Sequence, residues 1–430
     1  MRKKWKDFLG VSDRPRITYV EFCDSAANKL KKEDILFTDE KFTKREQEID
    51  AWEMENEEER YITLNDKGII PMFDETGNYP IALETQEGYR AYLKISGKTR
   101  EILPIHAGCC PSLNVIFIGA PSAGKTVYFL QLCDSAFHDM LARGTRCCFE
   151  NDMPADDERR QRYEEARRNL RDNKILPEPN RKGEIIFPYY FYIQSQDGGE
   201  IRRALLRLED IDGQQCTEME WESQIFNSNI FVIAIGADEL LANEKGEEVQ
   251  FTRVVEKLLP RLRVLRPDGD YEILVMITKC DLLNFENSHL KPTAENTVVV
   301  EGKKIRQTVH EHGFDYQTFN KRSQHIQDYL KEECPTFYLS LTYAIPDERL
   351  NFCMVASIGE TCTDNKFENF SPMFIDEPIL AILAKEGLYP IKSQKEKTKE
   401  KRAESSFKDF GKVVKNFSRR IMDQMELLDE

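Results

Sequence analysis

Residues 113–130 read LNVIFIGAPSAGKTVYFL. The run Leu113–Ile118 is apolar apart from Asn114 and has the length of one buried strand. Gly119-Ala120-Pro121-Ser122-Ala123-Gly124-Lys125-Thr126 then matches G-x-x-x-x-G-K-[ST] in full, and Val127 opens a helical stretch. Glycines let such a loop wrap an anion at backbone distance, and the N–H groups and dipole of the following helix point at it. Lys125 supplies a charge for the β and γ phosphates of a nucleotide, and the Thr126 hydroxyl is a ligand for Mg²⁺. The loop residues from Gly119 to Val127 are therefore the predicted phosphate-binding positions. The pattern alone does not choose ATP or GTP.

Outward from this stretch, strand-like apolar runs alternate with helical ones, which predicts an α/β fold with a mostly parallel central sheet, the P-loop NTPase architecture. The expected helices are Val127–Leu141 and the charged Ala155–Asn173, the latter read as an inserted lid-like element. Ile185–Ile193 and Ile201–Leu208 flank Asp197-Gly198-Gly199 and predict a hairpin. Ile230–Ile235, Ile273–Ile277 and Phe352–Ala356 are the remaining buried strands, and residues 284–320 an insertion with its own hairpin around Val298–Ile305. Residues 1–110, with turn signals at Asp66-Lys67-Gly68, Glu75-Thr76-Gly77-Asn78 and Ser96-Gly97-Lys98, read as a small α+β domain containing an acidic helix at 41–60. The nucleotide domain is expected at 111–390, and a charged tail at 391–430.

Three later segments fall in the order that guanine-nucleotide hydrolysis requires. In Asp210-Ile211-Asp212-Gly213-Gln214, Asp210 can hold Mg²⁺ through water, the Gly213 N–H can sense a γ-phosphate, and Gln214 can orient the attacking water. Asp212 and Glu209 are the alternative metal partners. In Thr278-Lys279-Cys280-Asp281, the Asp281 carboxylate can accept from guanine N1–H and the exocyclic amine, groups that adenine lacks in that arrangement, while the Lys279 stem lies over the base. A serine with its backbone amide can meet guanine O6: Ser357, in Ser357-Ile358-Gly359, or its rival Ser340. The residues assigned to catalysis are Gln214, Lys125 and Asp210, those to the metal Thr126 and Asp210, and those to the nucleotide the loop with Gly213, Thr278, Lys279, Asp281 and Ser357.

GAPSAGKTVYFLQL, DIDGQ, LVMITKCDLL, and FCMVASIGE followed by EPILAILAKEGLYP together resemble the translation-factor-related (TRAFAC-like) GTPases, more narrowly the bacterial double-GTPase family of the second type, over roughly 113–390. The resemblance implies GTP and GDP binding, Mg²⁺-dependent hydrolysis and a place in a multi-protein bacterial system of the defence type. Such GTPases also place a threonine between the first helix and the second strand to complete the magnesium shell. Between Thr145 and Thr217 this chain has none, so either Thr145 serves, another group does, or magnesium sensing is altered. Members often carry a zinc-ribbon-like module with two C-x-x-C pairs. Here only Cys23, His106, Cys109 and Cys110 stand at comparable places, and adjacent cysteines suit tetrahedral geometry poorly, so structural zinc is read as lost.

The chain of 430 residues is 40% hydrophobic and 32% charged, with a net charge of −15, which supports a sizeable core and argues against general nucleic-acid binding. Eleven cysteines without disulfide-framework spacing, and no apolar run of the ~18 residues that a membrane helix needs, point to a reducing, cytoplasmic setting. Phe407, Phe410, Val414, Phe417, Ile421, Met425 and Leu428 form one stripe beside Lys408, Lys412, Lys415, Arg419 and Arg420. That 405–428 helix is expected to dock on the chain itself or on a protein partner in preference to a membrane surface. Arg159, Arg160, Arg162, Arg167 and Arg168 are candidate charge-stabilising fingers by proximity alone. The competing readings are a nucleotide-binding scaffold with little hydrolysis, and an ATPase.

Overall fold

The computed structural model describes residues 22–23, 29–38, 61–73, 79–99, 101–120, 122–133, 145–150, 158–177, 189–197, 200–212, 228, 230–244, 250–265, 271–283, 297–300, 303–306, 313–345, 350–360, 362, 365–368 and 372–392. The expected acidic helix at 41–60, the tail helix at 405–428, Pro121, Gly213 and Gln214 lie outside the described residues.

A seven-stranded sheet organises the molecule. Its strands in chain order are β1 (Ser112–Gly119), β2 (Thr145–Glu150), β3 (Tyr189–Asp197), β4 (Glu200–Asp212), β5 (Ile230–Gly236), β6 (Glu272–Thr278) and β7 (Leu350–Met354). In space they run β2-β3-β4-β1-β5-β6-β7. β4, β1, β5, β6 and β7 are mutually parallel, and β3 is antiparallel to both of its neighbours. The predicted hairpin is present, with Asp197 opposite Glu200. The expected insertion hairpin is also present, Thr297–Val300 pairing with Lys303–Arg306.

The apolar runs form strands because helices cover both faces of the parallel part, so every position of β1 from Leu113 onward is buried. Alternate residues serve opposite cores. Leu113, Val115 and Phe117 meet α1 (Lys125–Leu132) and, near the chain end, Glu377–Lys385. Ile116 and Ile118 belong to a second core with Leu240, Val255, Leu258, Leu262, Ile326, Leu330 and Leu341. These come from α3 (Ala237–Glu244), α4 (Gln250–Leu265), α5 (Tyr316–Glu333) and α6 (Pro335–Ala344), where α2 is Glu158–Arg168 and α7 the Glu377–Lys385 helix. The described part of the first helix ends at Leu132, short of the predicted Leu141; 134–144 lie outside the described residues.

The described N-terminal region holds two three-stranded sheets, Ile35–Thr38 with Leu93–Ser96 and Ile102–Leu103, and Ile69–Phe73 with Pro80–Thr85 and Arg90–Ala91, and a short pair, Phe22–Cys23 with Lys29–Leu30. Their core residues, among them Phe37, Tyr79, Leu83 and Leu103, pack with Tyr190, Tyr192 and Leu205 of β3 and β4. Residue 110 thus divides the chain without dividing the core.

Candidate functional site

β1 lies in the middle of the sheet. The chain leaves it for β2, β3 and β4 on one side, then crosses to β5, β6 and β7 on the other. In open α/β sheets the crevice at the carboxyl end of the strand where direction reverses is where ligands bind. That end of β1 is Gly119, and the glycine-rich loop fills the crevice. A Cβ on Gly119 would fall on the Ala234 carbonyl oxygen of β5, so glycine is required for the two strands to converge. Gly124 precedes α1 in the left-handed region, φ 79°, where glycine is unstrained. No side chain caps α1, so its first-turn N–H groups, which have no acceptor within the helix, face the crevice mouth.

Lys125 is 7% and Asp210 3% exposed. The Lys125 ammonium donates to the Gly119 carbonyl at 2.8 Å and the Ala120 carbonyl at 3.3 Å. It also faces Asp210 Oδ1 at 3.7 Å. The Thr126 hydroxyl donates to Asp210 Oδ2 at 3.4 Å. Parallel register brings these together: Asp210 of β4 stands opposite Phe117, and Asp212 opposite Gly119. The result is a lysine, a hydroxyl and a carboxylate at a helix start. Hard oxygen donors of this kind fit Mg²⁺ held by one carboxylate, one hydroxyl and the ligand's own phosphates.

Thr278 ends β6 under the loop. Its hydroxyl donates to the Ala123 carbonyl at 2.6 Å and lies 3.1 Å from the Ile235 carbonyl, tying β5, β6 and the loop together. It therefore supports the loop from below. Lys279 then adopts φ 53° and starts the turn Cys280–Leu282, which carries Asp281 half-buried. Burial pushes the Asp281 carboxyl above its ordinary range; a backbone N–H and Lys279 pull it down, and Glu360 pushes it up again. The chain after β7 runs beside this turn. Two backbone bonds fix it there: Cys280 N–H donates to the Val355 carbonyl, and Val355 N–H to the Ile277 carbonyl. Ser357 follows two residues later and is half-buried.

Other sequence candidates are not at this crevice. Ser340 sits inside α6 with its hydroxyl on the Thr336 carbonyl. Glu209 points to the face of β4 opposite Asp210 and pairs with buried Arg207 at 3.2 Å, so it is no partner to the loop. Thr145 starts β2 opposite Ser195, which stands opposite Arg202. Ten residues separate Arg202 from Asp212, a rise of about 33 Å, so Thr145 lies at the far end of the sheet and cannot complete a magnesium shell here. The charged insertion α2 packs Tyr163 and Ala166 with Leu130, Ile358 and Cys362, on the flank of α1. Cys109, Cys110, Cys133, Cys280, Cys334, Cys353 and Cys362 are not joined in disulfides. Cys109 is buried with Lys94 Nζ at 3.4 Å and the Tyr79 carbonyl at 3.4 Å, while His106 stacks on Tyr192 at 3.8 Å. An ammonium against that thiol does not fit a zinc ligand set.

Tyr189 was hidden from sequence reading: it stacks on Phe129 at 4.9 Å, and its hydroxyl is pushed up first by burial, with Cys133 and Asp210 adding to the rise. Asp238 and Glu239 escape it too, since a strand-end Asp-Glu reads as an ordinary helix start. No family model matches the chain, and no curated protein matches it in sequence. Fold and site define an α/β protein with a mostly parallel sheet and a buried lysine on the glycine-rich loop at its switch point. No helix among the described residues is long and apolar enough to cross a membrane.

Proposed function

We propose that the chain is a P-loop protein that binds GTP with Mg²⁺ and hydrolyses it to GDP. The observation carrying this is the joining of two motifs, 152 residues apart, by one buried hydroxyl: Thr278 seats the 119–126 loop while the next three residues present Lys279 and Asp281. Lys125 neutralises the phosphate chain, and Asp281 accepts from the guanine edge. Thr126 and Asp210 would hold Mg²⁺, which when bound adds charge neutralisation of the β and γ phosphates. Gly213 and Gln214 keep their sequence-assigned roles, sensing the γ-phosphate and orienting water. The TRAFAC-like resemblance extends this to a switch in a multi-protein bacterial system in the cytoplasm.

The position of Thr145 favours a second reading, a nucleotide-dependent scaffold with little hydrolysis of its own. Titration calorimetry of the full chain with GTP, GDP and ATP in Mg²⁺ tests the first part. Binding confined to guanine nucleotides, transferred towards xanthine nucleotides by Asp281→Asn, is expected. Equal ATP binding, or none with any nucleotide, overturns the proposal. Phosphate release at saturating GTP then separates hydrolase from scaffold.

A further inference from the structure

At the junction Gly236–Glu239, β5 passes directly into α3 beside the end of β6 that carries Lys279. Asp238 Oδ2 accepts from Lys279 Nζ at 2.6 Å across 41 residues of sequence. The pair is built over a bare glycine: a Cβ on Gly236 would collide with Asp238 Oδ1 and lie 3.7 Å from Lys279 Nζ. Glu239 stands next to it. Burial and Asp238 push its carboxyl up, while the Gly236 N–H, Lys279 and Lys125 draw it down, so this helix start feels both lysines of the site. The Lys279 and Asp238 side chains are 34% and 48% exposed, and an ion pair that open adds little to fold stability. What it does fix is a direction. A lysine stem has several rotatable bonds, and an anchored ammonium removes most of its rotamers.

We propose that Asp238 is a positioning residue for the nucleotide base: by pinning the Lys279 ammonium over Gly236 it holds the lysine stem as a rigid wall across the base plane, and so sets how long a guanine nucleotide stays bound. The inference rests on the guanine-nucleotide reading above. Preorganising one long side chain lowers the cost of ordering it on binding, which corresponds to about a tenfold change in affinity.

The test measures dissociation of a fluorescent GDP analogue from the full chain in Mg²⁺, in wild type, Asp238→Ala, Asp238→Asn and Asp238→Glu. The first two substitutions should release it about tenfold faster, and Asp238→Glu should recover most of the difference. Affinity for inorganic tripolyphosphate, which has no base, should stay at the wild-type value in all four. Unchanged release in Asp238→Ala and the isosteric Asp238→Asn overturns the inference alone. So does a parallel loss of tripolyphosphate affinity, which would make Asp238 a general support of the crevice. A wild type that binds no guanine nucleotide overturns the functional reading and this inference with it.

Discussion

Asp281 shows how far one residue was legible. Its place two residues after a lysine at a strand end is visible in the sequence, and so is the chemistry of a carboxylate facing a guanine edge. Its half-burial beside Glu360 is not, because 79 residues separate the two. The consequence is a pH effect whose sign follows from the raised carboxyl. The folded chain holds that proton more tightly than the unfolded chain, so this contribution to stability is present at low pH and lost as pH rises through the folded-state value. Guanine binding runs the other way, since it needs the carboxylate. Guanine affinity, measured by calorimetry from pH 8 down to pH 5, should therefore begin to fall nearer neutrality than an ordinary aspartate predicts. Thr278 is read from sequence as a nucleotide contact, but its hydroxyl points at the Ala123 carbonyl. Thr278→Val should cost about 1–3 kcal/mol, the range for a buried acceptor left unmade, and weaken nucleotide binding with it, whereas Thr278→Ser should lose much less of either; chemical denaturation and calorimetry read the two effects.

At the level of elements, β1, β5 and β6 announce themselves because burial on both faces demands unbroken apolar runs. β2, with the sequence TRCCFE, carries no such pattern; pairing with β3 makes it a strand. α6 is ambiguous for a different reason. Its run PTFYLSLTYA has no charged residue and reads equally as a strand, and Pro335 in its first turn settles the matter. β4 is unusual in burying Arg207 and Glu209 on one face, both under 5% exposed. Glu209→Ala would remove the carboxylate that faces the buried guanidinium at 3.2 Å and should destabilise the chain by about 1–3 kcal/mol in denaturant titration. Replacing both residues by apolar ones of similar volume should recover most of that loss.

The whole molecule departs from the sequence reading where two regions meet. A boundary near residue 110 is visible as a change from turn-rich to strand-and-helix composition. What composition cannot reveal is that Tyr190, Tyr192 and Leu205, far beyond that boundary in sequence, close the N-terminal core. Residues 111–430 expressed alone should therefore expose three large apolar side chains on one hairpin, and should melt at a lower temperature and sediment as aggregates where the full chain does not.

Alternation along the β3–β4 hairpin carries that junction further. Phe191, Ile193 and Leu206 enter the central core, while their immediate neighbours Tyr190, Tyr192 and Leu205 enter the N-terminal one. A strand cannot release one face and keep the other. The two regions are thus bound to a common fate: backbone amides of β3 and β4 should exchange with deuterium only as slowly as the most protected amides of either region, and calorimetric heating should give one heat-absorption peak for both, with β4 carrying any disturbance of the N-terminal region directly to the strand that ends at Asp210.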